Sequence, residues 1–434
     1  MRKKKNNQIE LTSIGWKIED LAENDILPRY DLAFLLAPNI PIPNQEGNSI
    51  ATLVSTLANE TDLKSLIFST EPSSKRQNPQ PAHKFDIAYY QKDIKSSILD
   101  KGKIFPLIRH FLITPISFSW RNYARDAARA AILLGVKCLV VEDVADFGWA
   151  VRKVRKHGIS VILHQHAFTQ RNYQTFQWKR IERNLDEIIF VSQKTLNSTE
   201  KKHGELRTPA RVIYNGVNLM HFNPQKWEKE AREFRENLLI SNKDRVMTFI
   251  GRLYQSKGIL EALEAFLIIN QEDLHFFIVG SKSETDGNFF MRLNHLISKA
   301  YENQKHVFYY ENISQEEIPV YYALSDYIIV PSMNNYEGLP KVVTEALAMG
   351  VPVIASDRGG IWELLEEKKN GWLIADPVNA KSIAAAIKEA ISISNDELQA
   401  MKDHITRNNR PQMDQEIMVQ LFQEEISKLI NRAE

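Results

Sequence analysis

The chain has 434 residues, 43% of them hydrophobic and 25% charged, with 17 Gly and 17 Pro, which excludes long disorder and exceeds what a single hydrophobic core usually accommodates, so two domains are expected. The formal net charge is +1, yet residues 1–220 hold 32 Lys+Arg against 22 Asp+Glu (+10) and the remainder 23 against 32 (−9). That asymmetry makes the first half the place for an anionic surface or acceptor.

Residues 1–28 are weakly patterned, and a frayed or loosely docked extension is expected there, with a membrane-binding arm as the alternative. The basic start, Arg2 to Lys5, runs into Asn6, Asn7 and Gln8 without an apolar stretch. No secretory signal is read, no later run approaches the ~20 apolar residues of a membrane span, and a cytoplasmic protein is expected. From residue 29 onward, short β-branched runs alternate with segments of helical period: Leu32 to Ala37, Leu63 to Ser69, Phe85 to Tyr90, Cys138 to Glu142, Ile159 to His164, Glu187 to Ser192 and Arg211 to Tyr214. This is the pattern of a parallel sheet crossed by helices. The loop after the first run contains Gly47, whose backbone could turn N–H groups toward a phosphate. Cys138, the single cysteine, sits in an apolar run; no internal disulfide can form, and a buried, inert thiol is expected.

Helix-like stretches span Trp120 to Leu134, with Arg121, Arg125 and Arg129 at spacing four, and Trp149 to His157, with Arg152, Lys153, Arg155 and Lys156. Such clusters are either solvated faces or a surface for a lipid-linked or anionic acceptor. The fifth run leads into His164-Gln165-His166. Alternation places both histidines on one strand face, with His166 nearer a cleft. Without a neighbouring Cys or acid they make a poor zinc set, and no metal is expected.

A polar segment between Asn218 and Lys243 separates the halves. We place the boundary at 224, giving a first domain of residues 29–223 and a second of 224–411. The second restarts the alternation with Val246 to Ile250, Leu274 to Val279, Val307 to Tyr310, Tyr327 to Pro331 and Val353 to Ser356. The fold class is therefore α/β, with two doubly wound parallel sheets in sequence.

The first of these runs ends at Gly251 and is followed by Arg252 and Lys257 before a helix, an arrangement that can grip one diphosphate without a metal. In Tyr336-Glu337-Gly338-Leu339-Pro340, Pro340 suits the first turn of a helix, so Glu337, Gly338 and Leu339 should precede a helix N-terminus that favours an anion. Val342, Val343, Ala346 and Leu347 form the buried stripe of that helix. Glu345 is left off the core face, where its carboxylate could accept from ribose hydroxyls. Glu337 on the loop could stabilise positive charge at a sugar's anomeric carbon. Gly359-Gly360 opens a further turn. Finally, residues 412–434 carry a stripe of Ile417, Met418, Leu421, Phe422, Ile426, Leu429 and Ile430, a helix that must pack on one of the domains.

Together these segments resemble glycosyltransferase family 4, retaining enzymes of the GT-B fold. The resemblance rests on Gly251-Arg252-Leu253 with Lys257-Gly258, on Glu337 and Glu345 with seven residues between them, on Gly350 to Ser356, Gly359-Gly360, Glu363 and Asn370-Gly371, and on Asn215-Gly216-Val217 at the end of the first domain. It implies two Rossmann-like domains facing a cleft, with the donor in the second, the acceptor mostly in the first, and the last helix returning to the first. By that resemblance Arg252 and Lys257 bind the donor diphosphate, Glu345 the ribose, and Glu337 faces the donor sugar. His166 is the best match to a histidine near the reacting sugar. The implied activity is metal-independent, retaining transfer from a nucleotide-diphosphate sugar to a glycan, lipid-linked or other hydroxyl acceptor. It implies no further cofactor and no nucleic acid; the basic first domain adds peripheral contact with the inner membrane face. Glu46-Gly47-Asn48 and Glu311-Asn312 depart from the family pattern. Two other readings stand beside it: a phosphorylase or epimerase of the same build, and a degenerate paralogue that binds nucleotide sugar and supports a partner chain.

Overall fold

The structure, a computed structural model, describes residues 11–19, 28–42, 48–71, 84–92, 118–269, 271–281 and 287–433. It forms two compact units, Met1–Tyr214 with Met418–Glu434, and Asn215–Ile417.

The first unit is built on eight strands: β1 (Trp16–Ile18), β2 (Leu32–Leu35), β3 (Ser65–Ser69), β4 (Asp86–Tyr90), β5 (Cys138–Glu142), β6 (Ser160–Gln165), β7 (Glu187–Phe190) and β8 (Ala210–Val212). Their order is β1-β4-β3-β2-β5-β6-β7-β8. All neighbours run parallel except β1 against β4. Side chains of β2 divide by the two-residue period of a strand. Ala33 and Leu35 join a core with Tyr123, Ala127 and Ala131 of helix Phe118–Leu133. Leu32 and Phe34 join another with helix Ser49–Glu60 and the C-terminal helix Gln415–Ala433. Both sheet faces are thus covered, as a parallel sheet requires.

Three expectations change here. Residues 11–19 are not a frayed extension: Trp16 is fully buried, with its ring 4.8 Å from Phe68 and 5.2 Å from Tyr123, and β1 closes the sheet edge. A three-residue strand is too short to show periodicity. The stretch Trp149 to His157 is not one helix, since Ala145–Val151 is α-helical and Arg152–His157 a 3-10 turn. On the last helix, Ile417 and Leu421 are exposed, and the inward face is Met418, Val419, Phe422, Ile426, Leu429 and Ile430. Phe422 stacks on Phe34 at 5.9 Å.

The second unit holds β9 (Arg245–Ile250), β10 (Leu274–Val279), β11 (Val307–Tyr310), β12 (Tyr327–Val330), β13 (Val353–Ser356) and β14 (Gly371–Ile374), all parallel in the order β11-β10-β9-β12-β13-β14. Strand order reverses between β9 and β12, which makes their carboxyl ends the switch point where such sheets bind ligands. This unit begins at Asn215, ahead of the expected 224. The reason is local: Val217 N–H donates to Met413 O (2.7 Å), Gln415 N–H donates to Val217 O (3.0 Å), and Phe222 is buried in the second core. The turn Arg410–Met413 accordingly belongs to this unit, and the chain rejoins the first at Met418 rather than at 412. No helix among the described residues is long and apolar enough to cross a membrane.

Candidate functional site

The loop after β9 is shaped by a close approach. Gly258 adopts φ +74°, and a Cβ there would lie 2.1 Å from Pro331 O, just past β12. Only glycine allows that contact, and it brings Lys257 against the loop following β12. Lys257 Nζ pairs with Glu337 Oε1. Ser332 Oγ donates to Glu337 Oε2 at 3.1 Å, and Met333 N–H donates to Ser256 O at 2.9 Å. From the other side, Gly360 N–H donates to Gly338 O at 2.7 Å. Gly359, at φ +57°, leaves room where a Cβ would meet Glu337 O at 2.3 Å. Three loops at the switch point therefore hold Glu337 in one place.

Arg252 is exposed and forms no ion pair among the described residues; its guanidinium lies 5.5 Å from the centre of the Tyr254 ring, with Lys257 Nζ 5.9 Å from the same ring. Arg252, Lys257 and Glu337 are thus gathered at one end of the sheet. Gly338 and Leu339 are buried, and Pro340 stands at the N-cap of helix Lys341–Ala348 with φ −65°, just outside the first turn where it was expected.

Glu345 departs from expectation. It is not off the core face but 7% exposed. Its Oε2 accepts from Tyr322 Oη at 2.7 Å, and Lys341 Nζ stands 3.5 Å from Oε1. The buried tyrosine is the physical reason, since it supplies the donor without which a carboxylate at this depth is unfavourable. That same burial, with Glu345 beside it, pushes the Tyr322 hydroxyl well above the usual phenol range.

In the first unit, Glu142 at the end of β5 pairs in register with His164 on β6. His166 Nε2 lies 2.6 Å and His164 Nδ1 3.2 Å from Glu142 Oε2, and the imidazole rings are 4.3 Å apart. The histidines do have an acidic partner, on the adjacent strand where sequence spacing does not reveal it. Asp143 follows in a left-handed conformation, φ +57°, and its Oδ1 accepts from His166 N–H (3.0 Å), Ala167 N–H (3.3 Å) and Gln165 Nε2 (2.5 Å). This fixes the backbone that carries His166. Burial alone would raise Glu142, but the two histidines outweigh it and hold its carboxyl at about 2. Burial lowers His164; for His166 it also acts downward, but Glu142 and Asp143 reverse the sign and raise it. The imidazole is thus biased toward its charged form rather than the neutral one.

The ligand atoms of Glu142, His164 and His166 lie within 4.8 Å of one another, a donor set of the kind zinc takes. In the structure, their contacts with one another already satisfy them. Gly47 lies outside the described residues. The buried Cys138 thiol is raised by burial, as an inert side chain should be. Tyr254, Tyr322, Ser332, Glu142 and Asp143 were not singled out from sequence. Only the acidic pair had a signal, two carboxylates closing an apolar strand.

Two family models match the chain, Glycosyltransferase Family 4 over residues 67–221 and Glycosyl transferases group 1 over residues 230–409. With the two switch-point sheets, they define the class: the chain belongs to glycosyltransferase family 4. Among its relatives, spore coat protein SA of Bacillus subtilis is 32% identical over 216 residues, 49% of this chain and 57% of that protein, so the match spans less than two thirds of its length. YtcC of the same organism, described as a glycosyltransferase, is 24% identical over 392 residues, 87% of this chain and 86% of YtcC. The solved structure of Anabaena HepE in complex with UDP matches with a TM-score of 0.70 at 16% identity, covering 92% of this chain and 100% of that one. The shared architecture is the GT-B fold.

Proposed function

We propose that this protein transfers a glycosyl unit from a nucleotide-diphosphate sugar to an acceptor hydroxyl, retaining the anomeric configuration and using no metal. The observation that carries the proposal is the constellation at the β9/β12 switch point: Arg252 without an acidic partner among the described residues, Lys257 and Glu337 in contact, and the loop held by Gly258 and Gly359. A diphosphate entering there meets Arg252 directly and draws Lys257 away from Glu337, exchanging a carboxylate for a phosphate. The released Glu337 carboxylate then faces the sugar, where positive charge builds in the transition state. Two cations neutralise the leaving diphosphate, the task a metal performs in other transferases. HepE, which shares the fold, was solved with UDP, and that supports a nucleotide donor here. Glu345, fixed by Tyr322, is the group we assign to the ribose. His166, positioned by Glu142 and Asp143, is the group we assign to the donor sugar.

The test is a panel of nucleotide sugars screened for a rise in melting temperature, since a ligand bound only by the folded state stabilises it. The donor that stabilises most is then incubated with candidate acceptors in the presence of a chelator. Release of the nucleoside diphosphate, with the product's anomeric configuration read by NMR, supports the proposal. No stabilisation by any nucleotide sugar removes the donor assignment, and activity lost to the chelator removes metal independence.

A further inference from the structure

The arginines at spacing four on helix Phe118–Leu133 do not all point into solvent. Between that helix and the carboxyl end of β4 lies a cavity of about 450 Å³, lined by Tyr90, Lys92, Ser119, Arg125, Asp126 and Arg129 among others, within the ~300–1,000 Å³ of small-molecule sites. Its organiser is Asp126, 6% exposed. One carboxylate oxygen accepts from Tyr90 Oη at 2.8 Å and stands 3.1 Å from Lys92 Nζ; the other is 3.0 Å from Arg129 Nη1. Lys92 Nζ is further anchored on Ile14 O at 2.8 Å. Two cations thus converge on a single acid. Arg125 hydrogen-bonds Asn122 Oδ1 at 3.4 Å and forms no ion pair among the described residues. Among the described residues the lining therefore carries three cations to one anion.

Arg125 also connects the cavity to a second cluster. The Trp149 ring has the Arg152 guanidinium 4.1 Å and the Arg180 guanidinium 4.5 Å from its centre. Arg121 and Arg152 are both depressed, first by burial; for Arg121 the attraction of Asp146 opposes this, and for each of them the charges of Arg125 and Arg180 add to the lowering. Like charges assembled at this density repel one another, a cost that an anion removes. Guanidinium groups are the side chains best matched to phosphate oxygens.

We propose that this cavity binds a phosphate or diphosphate group, and that the group belongs to the acceptor, which is then an anionic, phosphate-bearing molecule. The anion site stands on the first unit's own geometry. Its assignment to the acceptor rests on the transferase reading above.

The experiment titrates inorganic pyrophosphate into the full-length protein saturated with UDP, so that the donor site is occupied, and repeats the titration with Arg125→Gln/Arg129→Gln. The expected result is binding that weakens at least about tenfold in the double variant, from the loss of two charge-assisted contacts in a partly solvated site, and that fades as salt is raised. UDP affinity and melting temperature should match the wild type, and Arg125→Lys/Arg129→Lys should recover part of the affinity. Pyrophosphate that fails to bind the saturated protein, or binds both forms equally, overturns the site. If UDP itself does not bind, the donor reading fails instead, and the same titration on Arg252→Ala/Lys257→Ala still tests the cavity. Sedimentation with vesicles of phosphatidylglycerol, set against phosphatidylcholine alone, identifies the source. Pelleting lost in the Gln variant assigns the phosphate to a lipid headgroup, and pyrophosphate binding without pelleting assigns it to a soluble compound. With the site confirmed, transfer to phosphorylated and dephosphorylated forms of one acceptor tests the acceptor assignment, which equal rates would overturn.

Discussion

Replacing Arg252 and Lys257 by alanine, singly and together, tests the donor site with a graded expectation taken from their surroundings. A hydrogen bond to a charged group contributes about 1.5–3 kcal/mol. Arg252 is exposed and pairs with no acid among the described residues, so a phosphate engages its fork without displacing a carboxylate. We expect about 2 kcal/mol from this residue, roughly thirtyfold in the dissociation constant of UDP. Lys257 is different. Its ammonium already contacts Glu337, and the two side chains are 20% and 22% exposed. Binding a phosphate exchanges one anion for another, so the net contribution is smaller, about 1 kcal/mol or roughly fivefold. The double variant should then weaken UDP binding by about 3 kcal/mol, more than a hundredfold, if the two contributions add. Isothermal calorimetry on the wild type and the three variants measures all of this, with melting curves to confirm folding. A double variant that binds UDP within about threefold of the wild type would refute the assignment. A Lys257 variant weaker than the Arg252 variant would refute the argument from the ion pair.

Three further outcomes follow from the same geometry. Glu337→Gln releases Lys257 from its carboxylate, so UDP affinity should hold or tighten while turnover falls at least about tenfold, the signature of a group that acts on the transition state; calorimetry and steady-state kinetics read the two separately. His164, 3% exposed and 5.5 Å from the Phe422 ring, should lower the melting temperature more when changed to Ala than His166 does, whereas His166→Ala should lose most transfer with donor affinity intact; an active His166→Ala enzyme would exclude the role given to it. Glu142, held at about 2 against an ordinary 4.5, is a depressed carboxylate, so its stabilisation is fully present above pH 4.5 and disappears as pH falls through about 2. Melting temperature against pH should fall across this window in the wild type and be flatter in a Glu142→Gln variant that is already less stable at neutral pH.

Most of the framework was legible because strand runs and glycine punctuation are local. Runs such as Cys138 to Glu142 and Leu274 to Val279 became strands with the same ends, and the cations around Gly251 and Gly258 marked the loop at the sheet reversal, where we propose the donor site. What escaped was set by neighbours distant in sequence. The depth of Glu345 depends on Tyr322, and the partner of both histidines is Glu142 on the adjoining strand. The beginning of the second unit depends on a bridge between Val217 and Asp414. Trp16–Ile18 was missed for lack of length, and Gly371–Ile374, another short strand, went unread after a polar turn.

The division of the chain also bears on how the protein is made. The first unit takes its last element from Met418 onward, and that helix covers Leu32, Phe34, Ile162 and Ile189. A ribosome elongating at roughly 5–20 residues per second must synthesise all of Asn215–Ile417 before the cover exists, a wait of roughly 10–40 seconds. Throughout that interval the nascent sheet presents an apolar face that helix Ser49–Glu60 covers only in part. Translation stalled inside the second unit would leave the first one sticky, which makes the closing helix a natural point at which chaperones and proteases distinguish finished chains from interrupted ones.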